Sequence, residues 1–428
     1  MRYNIKLGVI VVLYIWITFL LYLVSPISYN QYISISYWKI ILFLFFVSIF
    51  FFFGCQSIPI CKNENINKNN YSNRFKYLDI LILISIIIYI SLIINANIRG
   101  MFHYSYSIGS IYSYRHSNID IVTNSSTIVK ISVLCRPLMV IALSLGAYNF
   151  IKFNFRKKLM YLIYILLIII YNLFVIASLK EFGDVIIISS FSLFIRFLQE
   201  NKLKKFIRIF LLVFIIFIIF FIYNQLSRIE AYGGSGFEKV NFFTINDNNI
   251  IYKLFGEKIG DGIIAFILYI SHGYHGLILC LELPFECTYG LGSNWALSSY
   301  LEQYFGVKNL LYNTYPLRME TVYGWSGLIF WPTAFAWWAS DISFYGVIFL
   351  MYFIGRFLCI WIKEAYLYNN PISITLSSFF FILVIFLPAN NQLFQSRYSF
   401  ITFCFLVIFW VFTRKKYNKL NTTEQLKF

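Results

Sequence analysis

Long apolar runs separated by short polar segments dominate this chain. Ten runs are long enough to cross about 30 Å of hydrocarbon. The chain is therefore predicted to be an all-α polytopic integral membrane protein with about 10 to 12 transmembrane helices. The first run has a basic start but is too long for a signal peptide, which predicts an uncleaved helix. The runs lie near residues 5–26, 37–55, 78–96, 129–150, 159–178, 185–199, 206–226, 344–363, 372–388 and 397–413.

The polar segments differ in charge, and this difference predicts orientation. Lysine and arginine are dense in "CQSIPICKNENINKNNYSNRFKY", "KFNFRKK", "NKLKK" and the tail "RKKYNKLNTTEQLKF". Such clusters are typical of cytoplasmic loops. We therefore expect both termini in the cytoplasm and an even number of spans.

Two longer segments, near 97–128 and 227–343, lie on the opposite, outer side in this topology. The second holds six basic and ten acidic residues and is longer than a connection requires, which is typical of a functional loop. The sequence thus predicts a first membrane bundle of about seven helices (1–226), a long outer loop with amphipathic helices (227–343), and last membrane helices with a basic tail (344–428).

Composition supports this class, with 60% hydrophobic and 12% charged residues. Soluble domains carry about 25% charged residues. The net charge of +17 collects in the predicted cytoplasmic segments, so it serves topology and does not indicate nucleic-acid binding. The seven cysteines show no paired metal-ligand spacing, and free thiols are expected, with a Cys280–Cys287 disulfide as the alternative.

Residues 262–283 are apolar enough to span a membrane, but they are flanked by or contain Asp261, His272, His275 and Glu282. So many polar groups favour a helix that lies along or dips into the outer interface. The alternative is a true span, with 328–342 as a second crossing that restores the topology.

All four histidines, His103, His116, His272 and His275, fall in the two predicted outer segments. His272 and His275 share one helix face, and Glu282 follows two turns after His275. An imidazole beside a carboxylate is a plausible general base. Metal ligation by the His-x-x-His pair, and a packing or interfacial role, remain alternatives.

Basic residues of the same side form a second set of candidates. Arg136 lies inside a predicted span, where an ionisable group is a functional hypothesis by default. Guanidinium groups suit phosphate oxygens, so the set indicates an anionic ligand. The alternative for each is a local ion pair or snorkelling. The set comprises Arg99, Arg115, Arg136, Lys180, Arg228, Arg318 and Arg397.

The aromatic run "YGWSGLIFWPTAFAWW" has two interpretations, interfacial belt anchors and sugar-stacking platforms. The glycines of "TYGLGSNWALSS" permit tight turns. Asp341 could cap the helix that follows it.

Three stretches carry a resemblance to a known family: "YISHGYHGLILCLELPFECTYGLGS", "WPTAFAWWASDISFYGVIFLMYFIGR" and "LPANNQLFQSRYSF". In their order, and in the architecture of the chain, they resemble the Wzy-type O-antigen polymerases. These enzymes join oligosaccharide repeat units in Gram-negative envelopes. The local motifs all lie from residue 269 onward.

The resemblance implies an inner-membrane glycosyltransferase with a periplasmic active face, similar in fold to the GT-C-like ligases and polymerases. It would transfer a nascent chain from undecaprenyl diphosphate to a new lipid-linked unit. The expected partners are the lipid-linked donor and acceptor, membrane lipid and a chain-length regulator protein, with no cofactor or metal. A lipid-linked oligosaccharide flippase and an O-antigen ligase are the alternatives.

The resemblance also implies residue roles. Outer-face arginines would bind the diphosphate, and a loop histidine would act at the acceptor, with His272 preferred over His275 as the base. Arg99 precedes Gly109, and Arg318 precedes Gly324 and Gly327, although the two spacings differ. The expected catalytic residues are thus His272 and His275, and the expected substrate-binding residues are Arg99, Arg136, Lys180, Arg318, Arg397 and Tyr274.

Overall fold

The computed structural model describes residues 3–29, 36–60, 75, 77–101, 109–112, 127–231, 243–306 and 311–425. Within these ranges the chain is largely helical. The helices are α1 (Tyr3–Val24), α2 (Tyr37–Gln56), α3 (Leu78–Ile98), α4 (Thr127–Asn149), α5 (Phe155–Ile170), α6 (Leu179–Gln199), α7 (Leu203–Ala231), α8 (Ile250–Leu281), α9 (Trp295–Phe305), α10 (Tyr315–Tyr323), α11 (Ala334–Tyr368), α12 (Pro371–Phe386), α13 (Gln392–Gln395) and α14 (Arg397–Gln425). Strands β1 (Ile27–Tyr29) and β2 (Phe243–Ile245) pair antiparallel.

Nine helices of the described ranges are long and apolar enough to cross a membrane, by length and composition. Eight correspond to predicted spans, and the ninth is α8. Of the other two predicted spans, α6 carries four charged residues and α12 has only 16 residues. The architecture is that of an all-α polytopic membrane protein, as the sequence predicts.

Helix α8 changes the interpretation of the region 262–283. It is one 32-residue helix with a kink at Gly256, and most of its second half is buried. The sequence placed every histidine outside the spans, whereas His272 and His275 lie in this candidate span. His103, His116 and Arg115 lie outside the described residues.

The chain forms two compact units, each built from segments that are distant in sequence. The first, called the imidazole unit here, comprises Met1–Lys62, Gly233–Ile360 and Leu383–Phe400. The second, called the charged unit, comprises Asn63–Tyr232, Trp361–Ile382 and Ile401–Phe428.

In the imidazole unit, α8 packs against α1 and α2, and the strand pair adds Ile27 and Phe243 to a core with Ile264 and Leu268. Glycine allows α8 to touch other backbone directly. The amide of Thr333 donates to the carbonyl of Gly273 at 3.2 Å, and a Cβ on Gly273 would collide with the carbonyl of Pro388. The glycines of "SHGYHG" thus serve close packing.

In the charged unit, α4 packs against α3 and α6, and α7 packs against α6. Small polar side chains link the helices: the hydroxyl of Ser144 lies 2.9 Å from that of Ser192 and 3.1 Å from that of Ser378. A five-residue π-helix, Tyr171–Val175, precedes α6, and Ala177 in the connecting turn has φ of 53°. Such π segments often occur at functional sites.

Candidate functional site

His272 lies on the buried side of α8, and its two ring nitrogens have different surroundings. Nδ1 lies 2.6 Å from the carbonyl oxygen of Leu268, one turn earlier. A carbonyl only accepts, so Nδ1 carries the proton of the neutral ring and Nε2 keeps a free lone pair. Nε2 is buried and has no hydrogen-bond partner among the described residues. The ring forms a T-shaped pair with Phe330, with centroids 6.0 Å apart.

His275 follows one turn later and lies among aromatic rings. It stacks on Tyr29 with centroids 4.5 Å apart, and Trp325 lies 4.7 Å away on centroids. Its Nδ1 is 3.2 Å from the hydroxyl of Tyr22, whereas Nε2 is buried without a partner in the described part of the chain. Burial also raises the pKa of the Tyr29 phenol, so this ring stays neutral.

The two Nε2 atoms are the chemically available groups of this cluster. A buried nitrogen without a partner is costly, so a native structure that keeps two of them calls for an explanation. One explanation is a bound group with a hydroxyl to share. No group of three His, Cys, Asp or Glu that could hold a metal ion is found within the described ranges. Each Nε2 has the lone pair that proton transfer from a hydroxyl requires.

Tyr274 and Glu282, near the two histidines in sequence, bond to residues of other helices. The hydroxyl of Tyr274 lies 2.9 Å from the carbonyl of Ile15 and 2.8 Å from Thr18 Oγ1, and the ring is fully buried. Glu282, which the sequence placed on the face of His275, pairs with Lys39 Nζ at 2.5 Å. Tyr274 therefore ties α8 to α1, and Glu282 ties it to α2.

The glycine-rich turn after α8 is organised by Asp341. Its carboxylate accepts hydrogen bonds from the amides of Gly290 at 2.9 Å, Gly292 at 3.0 Å and Ser293 at 2.7 Å, and from the hydroxyl of Thr288 at 2.5 Å. Asp341 lies inside α11, two residues before its kink at Ser343. Asp341 therefore anchors the turn and does not cap a helix start. No local sequence signal links residues so far apart.

The aromatic run near 323–338 is largely part of the core. Trp325, Trp337 and Trp338 are buried, and Nε1 of Trp325 donates to the carbonyl of Phe330 at 3.0 Å. Neither interpretation of the run, belt anchor or stacking platform, describes these three residues. Of the three, Trp325 lies against His275, whereas Trp337 and Trp338 pack against Trp295 and Phe335.

Arg318 and Arg397, in the imidazole unit, have separate local partners. Arg318 pairs with Glu286 at 2.7 Å and donates to the carbonyl of Pro284 at 2.8 Å. Below its guanidinium lies the ring of Tyr315, and burial raises the pKa of that phenol to about 12. Arg397 is exposed, with its guanidinium 4.5 Å from the centroid of Tyr300. Arg318 thus forms the local ion pair that is the alternative to binding an anionic ligand.

The remaining predicted cations lie in the charged unit. Nη2 of Arg136 pairs with the carboxylate of Glu181, and Nη1 donates to the hydroxyl of Tyr89 at 3.0 Å. Arg99 is half-buried at the end of α3. Lys180 lies beside Glu181 in the first turn of α6, close enough for its charge to act on Glu181 and on Asp184. The structure thus brings Arg136 and Lys180 to one charged cluster.

Asp184 belongs to the same cluster and did not stand out in the sequence. It is only 6% exposed, and its Oδ1 has no hydrogen-bond partner in the part of the chain that is described. The signal that could have found it is the spacing Lys180, Gly183, Asp184, because residues at i, i+3 and i+4 share one face of a helix.

Comparison with known proteins identifies no relative, because no family model, curated protein or solved structure matches the chain. The assignment of a function therefore depends on the chemistry of the two clusters.

Proposed function

We propose that this protein is a membrane glycosyltransferase that polymerises lipid-linked oligosaccharide repeat units of the O-antigen type. The observation that carries the proposal is the state of His272. Its tautomer is defined by the Leu268 carbonyl, and its Nε2 lone pair is buried without a partner among the described residues. A free lone pair is what a general base requires.

The reaction needs little beyond this base and charge stabilisation. The acceptor hydroxyl loses its proton to Nε2 of His272 as its oxygen bonds to the anomeric carbon of the donor. The bond between that carbon and the diphosphate oxygen breaks, and undecaprenyl diphosphate departs as an anion. A diphosphate is a good leaving group, so fixed positive charge provides most of the remaining stabilisation.

Two cations in the same unit as His272 are suited to that role. Arg397 is exposed and stacked over Tyr300, so its donor atoms are held in position by the ring. Arg318 is held by the Pro284 carbonyl, while the side chain of its partner Glu286 is 52% exposed and can give way to a diphosphate. Forked donors of this kind match phosphate oxygens.

The proposal includes a location in the bacterial inner membrane, with the active face toward the periplasm and both termini in the cytoplasm. The basic segments predicted to be cytoplasmic support this orientation. An even number of crossings results if one helix, α6 or α12, joins the nine candidate spans, or if both cross and α8 lies at the interface. Alkaline phosphatase fusions after each helix test the orientation, and fusion activity after α14 would contradict it.

Deletion of the gene, followed by gel analysis of lipopolysaccharide, tests the activity. We expect core plus a single repeat unit, with the ladder restored by the wild-type gene. Core alone with accumulating lipid-linked polymer would identify a ligase. Loss of all lipid-linked units from the periplasmic leaflet would identify a flippase, and a normal ladder would contradict all three.

A further inference from the structure

A notch on α6 in the charged unit combines features that indicate a ligand. Gly183 is buried, yet among the described residues no atom beyond its chain neighbours and its own helix backbone lies within 4 Å of the position that a Cβ would occupy. Interiors are normally close-packed, so buried open space beside a helix is unusual. Lys180 lies one turn before both Gly183 and Asp184, so it neighbours each of them on the helix surface.

Lys180 and Asp184 do not form an ion pair with one another. Lys180 and Asp184 are four residues apart on one helix, but neither forms an ion pair with a described residue within 4 Å. Asp184 is more than nine-tenths buried and its Oδ1 has no partner among those residues. A buried carboxylate oxygen without a partner in the described ranges calls for a donor that lies outside them.

Neighbouring contacts keep these groups available. Glu181, which could compete for Lys180, is held by Arg136, and Arg136 is held in turn by the hydroxyl of Tyr89. The turn before α6 is fixed by Arg228, whose Nη2 donates to the carbonyl of Ala177 at 3.1 Å. Lys180 is half-buried whereas Gly183 and Asp184 are buried, so the notch is more open at its Lys180 end.

Charge decides which class of ligand fits. Arg136 and Glu181 neutralise one another, and Lys180 and Asp184 bring one basic and one acidic group to the notch. A phosphate would gain from Lys180 but be repelled by Asp184 and Glu181. An ammonium group would gain from Asp184 but be repelled by Lys180 and Arg136. A hydroxyl is neutral, donates to a carboxylate and accepts from an ammonium group.

We propose that the notch formed by Lys180, Gly183 and Asp184 binds neighbouring hydroxyl groups of a neutral sugar. Asp184 Oδ1 accepts from one hydroxyl, and the Lys180 ammonium donates to the next. The charges select a neutral ligand with hydroxyl groups, whatever the function of the protein. The choice of a sugar among such ligands rests on the glycosyl transfer proposed above.

Saturation-transfer NMR on the full chain in lipid nanodiscs tests this site, because nanodiscs avoid glycoside detergents. The probes are the methyl glycosides of glucose, galactose and N-acetylglucosamine, with inorganic diphosphate and ethanolamine as charged controls. We expect the wild type to give a glycoside signal. The affinity for the glycoside should fall at least about tenfold in Gly183→Ala and in Asp184→Asn. The methyl group of Gly183→Ala occupies open space, so its melting temperature is expected to stay the same or rise slightly.

Two outcomes would overturn the proposal: a glycoside signal that Gly183→Ala leaves unchanged, or binding of diphosphate or ethanolamine that this variant abolishes. His272→Ala separates this proposal from the catalytic one, because it is expected to keep the glycoside signal and lose the lipopolysaccharide ladder. A glycoside signal that depends on Gly183, in a protein whose deletion leaves a normal ladder, would support the notch and refute the polymerase. A ladder that depends on His272 but is unchanged in Gly183→Ala would support the polymerase and refute the notch.

Discussion

The imidazoles of α8 are buried and the charged residues at the start of α6 are buried or half-buried, but the two units stabilise them by different means. In the imidazole unit, His275 is surrounded by neutral aromatic rings, and His272 makes one hydrogen bond to a carbonyl. In the charged unit, Arg136 and Glu181 neutralise one another directly. Among the described residues, one unit therefore holds neutral polar atoms without partners, and the other holds an ion pair.

This difference indicates which chemistry each unit can support. A neutral imidazole in apolar surroundings can accept a proton from a hydroxyl brought to it, without competition from nearby carboxylates. A balanced set of charges discriminates against ions and favours a neutral polar ligand. The contrast yields four changes with different expected effects on stability.

Glu181→Gln is expected to have the largest effect, because it leaves the charge of Arg136 without its partner. Loss of one member of a buried pair costs about 3–5 kcal/mol. The side chains of Arg136 and Glu181 are 26% and 15% exposed, so we expect the lower end, about 3 kcal/mol. Denaturant unfolding in nanodiscs measures this change. Glu286→Gln in the imidazole unit is the control, and its exposed pair should cost under about 1 kcal/mol; equal losses would refute the contrast.

Gly273→Ala is expected to destabilise the imidazole unit by about 2 to 3 kcal/mol, because overpacking against rigid backbone cannot relax easily. The added methyl group would meet the Pro388 carbonyl and the Thr333 amide, the latter at 3.2 Å. The same unfolding measurement applies. A variant as stable as the wild type would show that α8 does not pack against these segments.

Asp341→Asn is expected to cost about 1.5 kcal/mol, near the lower end for hydrogen bonds to charged groups, because the amide keeps one accepting oxygen. Its second effect should be local: the turn at 288–293 loses its anchor and becomes sensitive to protease. Limited proteolysis of the intact protein tests this. Protection of the turn equal to that in the wild type would contradict the anchoring role.

Gly183→Ala is expected to have the smallest effect on stability, a gain of at most about 1 kcal/mol, because alanine is the better helix former and its methyl group meets open space. Both variants replace a helical glycine with alanine, but Gly183→Ala changes the charged unit and Gly273→Ala changes the imidazole unit. A loss above about 1 kcal/mol would show that the notch is already filled by neighbouring side chains.

The helices could be predicted from sequence because a hydrophobic run is a local property. Eight predicted spans agree with candidate spans of the structure. The ninth candidate is α8, for which the sequence favours the interface because its polar residues are counted without their partners. Lys39 neutralises Glu282 from a helix more than two hundred residues earlier, and rings from three segments enclose His275. Such long-range pairings are invisible to periodicity.

The candidate site was predictable only in part, for the same reason. Residue type singled out His272, Arg136 and Lys180, because ionisable groups in apolar sequence are conspicuous. The pairing of Arg136 with Glu181, the role of Asp341 and the unpartnered oxygen of Asp184 depend on tertiary contacts. The sequence therefore identifies candidate site residues. It does not show which charged side chains are paired within the protein and which can bind a ligand.

The most direct test of the central claim compares His272→Ala with His275→Phe in cells that lack the chromosomal gene. Both proteins should accumulate in the membrane at the wild-type level, as measured by immunoblot. We expect His272→Ala to yield core plus one repeat unit, because a lost general base costs about 10²–10⁴-fold in rate. His275→Phe, which preserves an aromatic ring between Tyr29 and Trp325, should keep a ladder. A full-length ladder from His272→Ala would contradict the account.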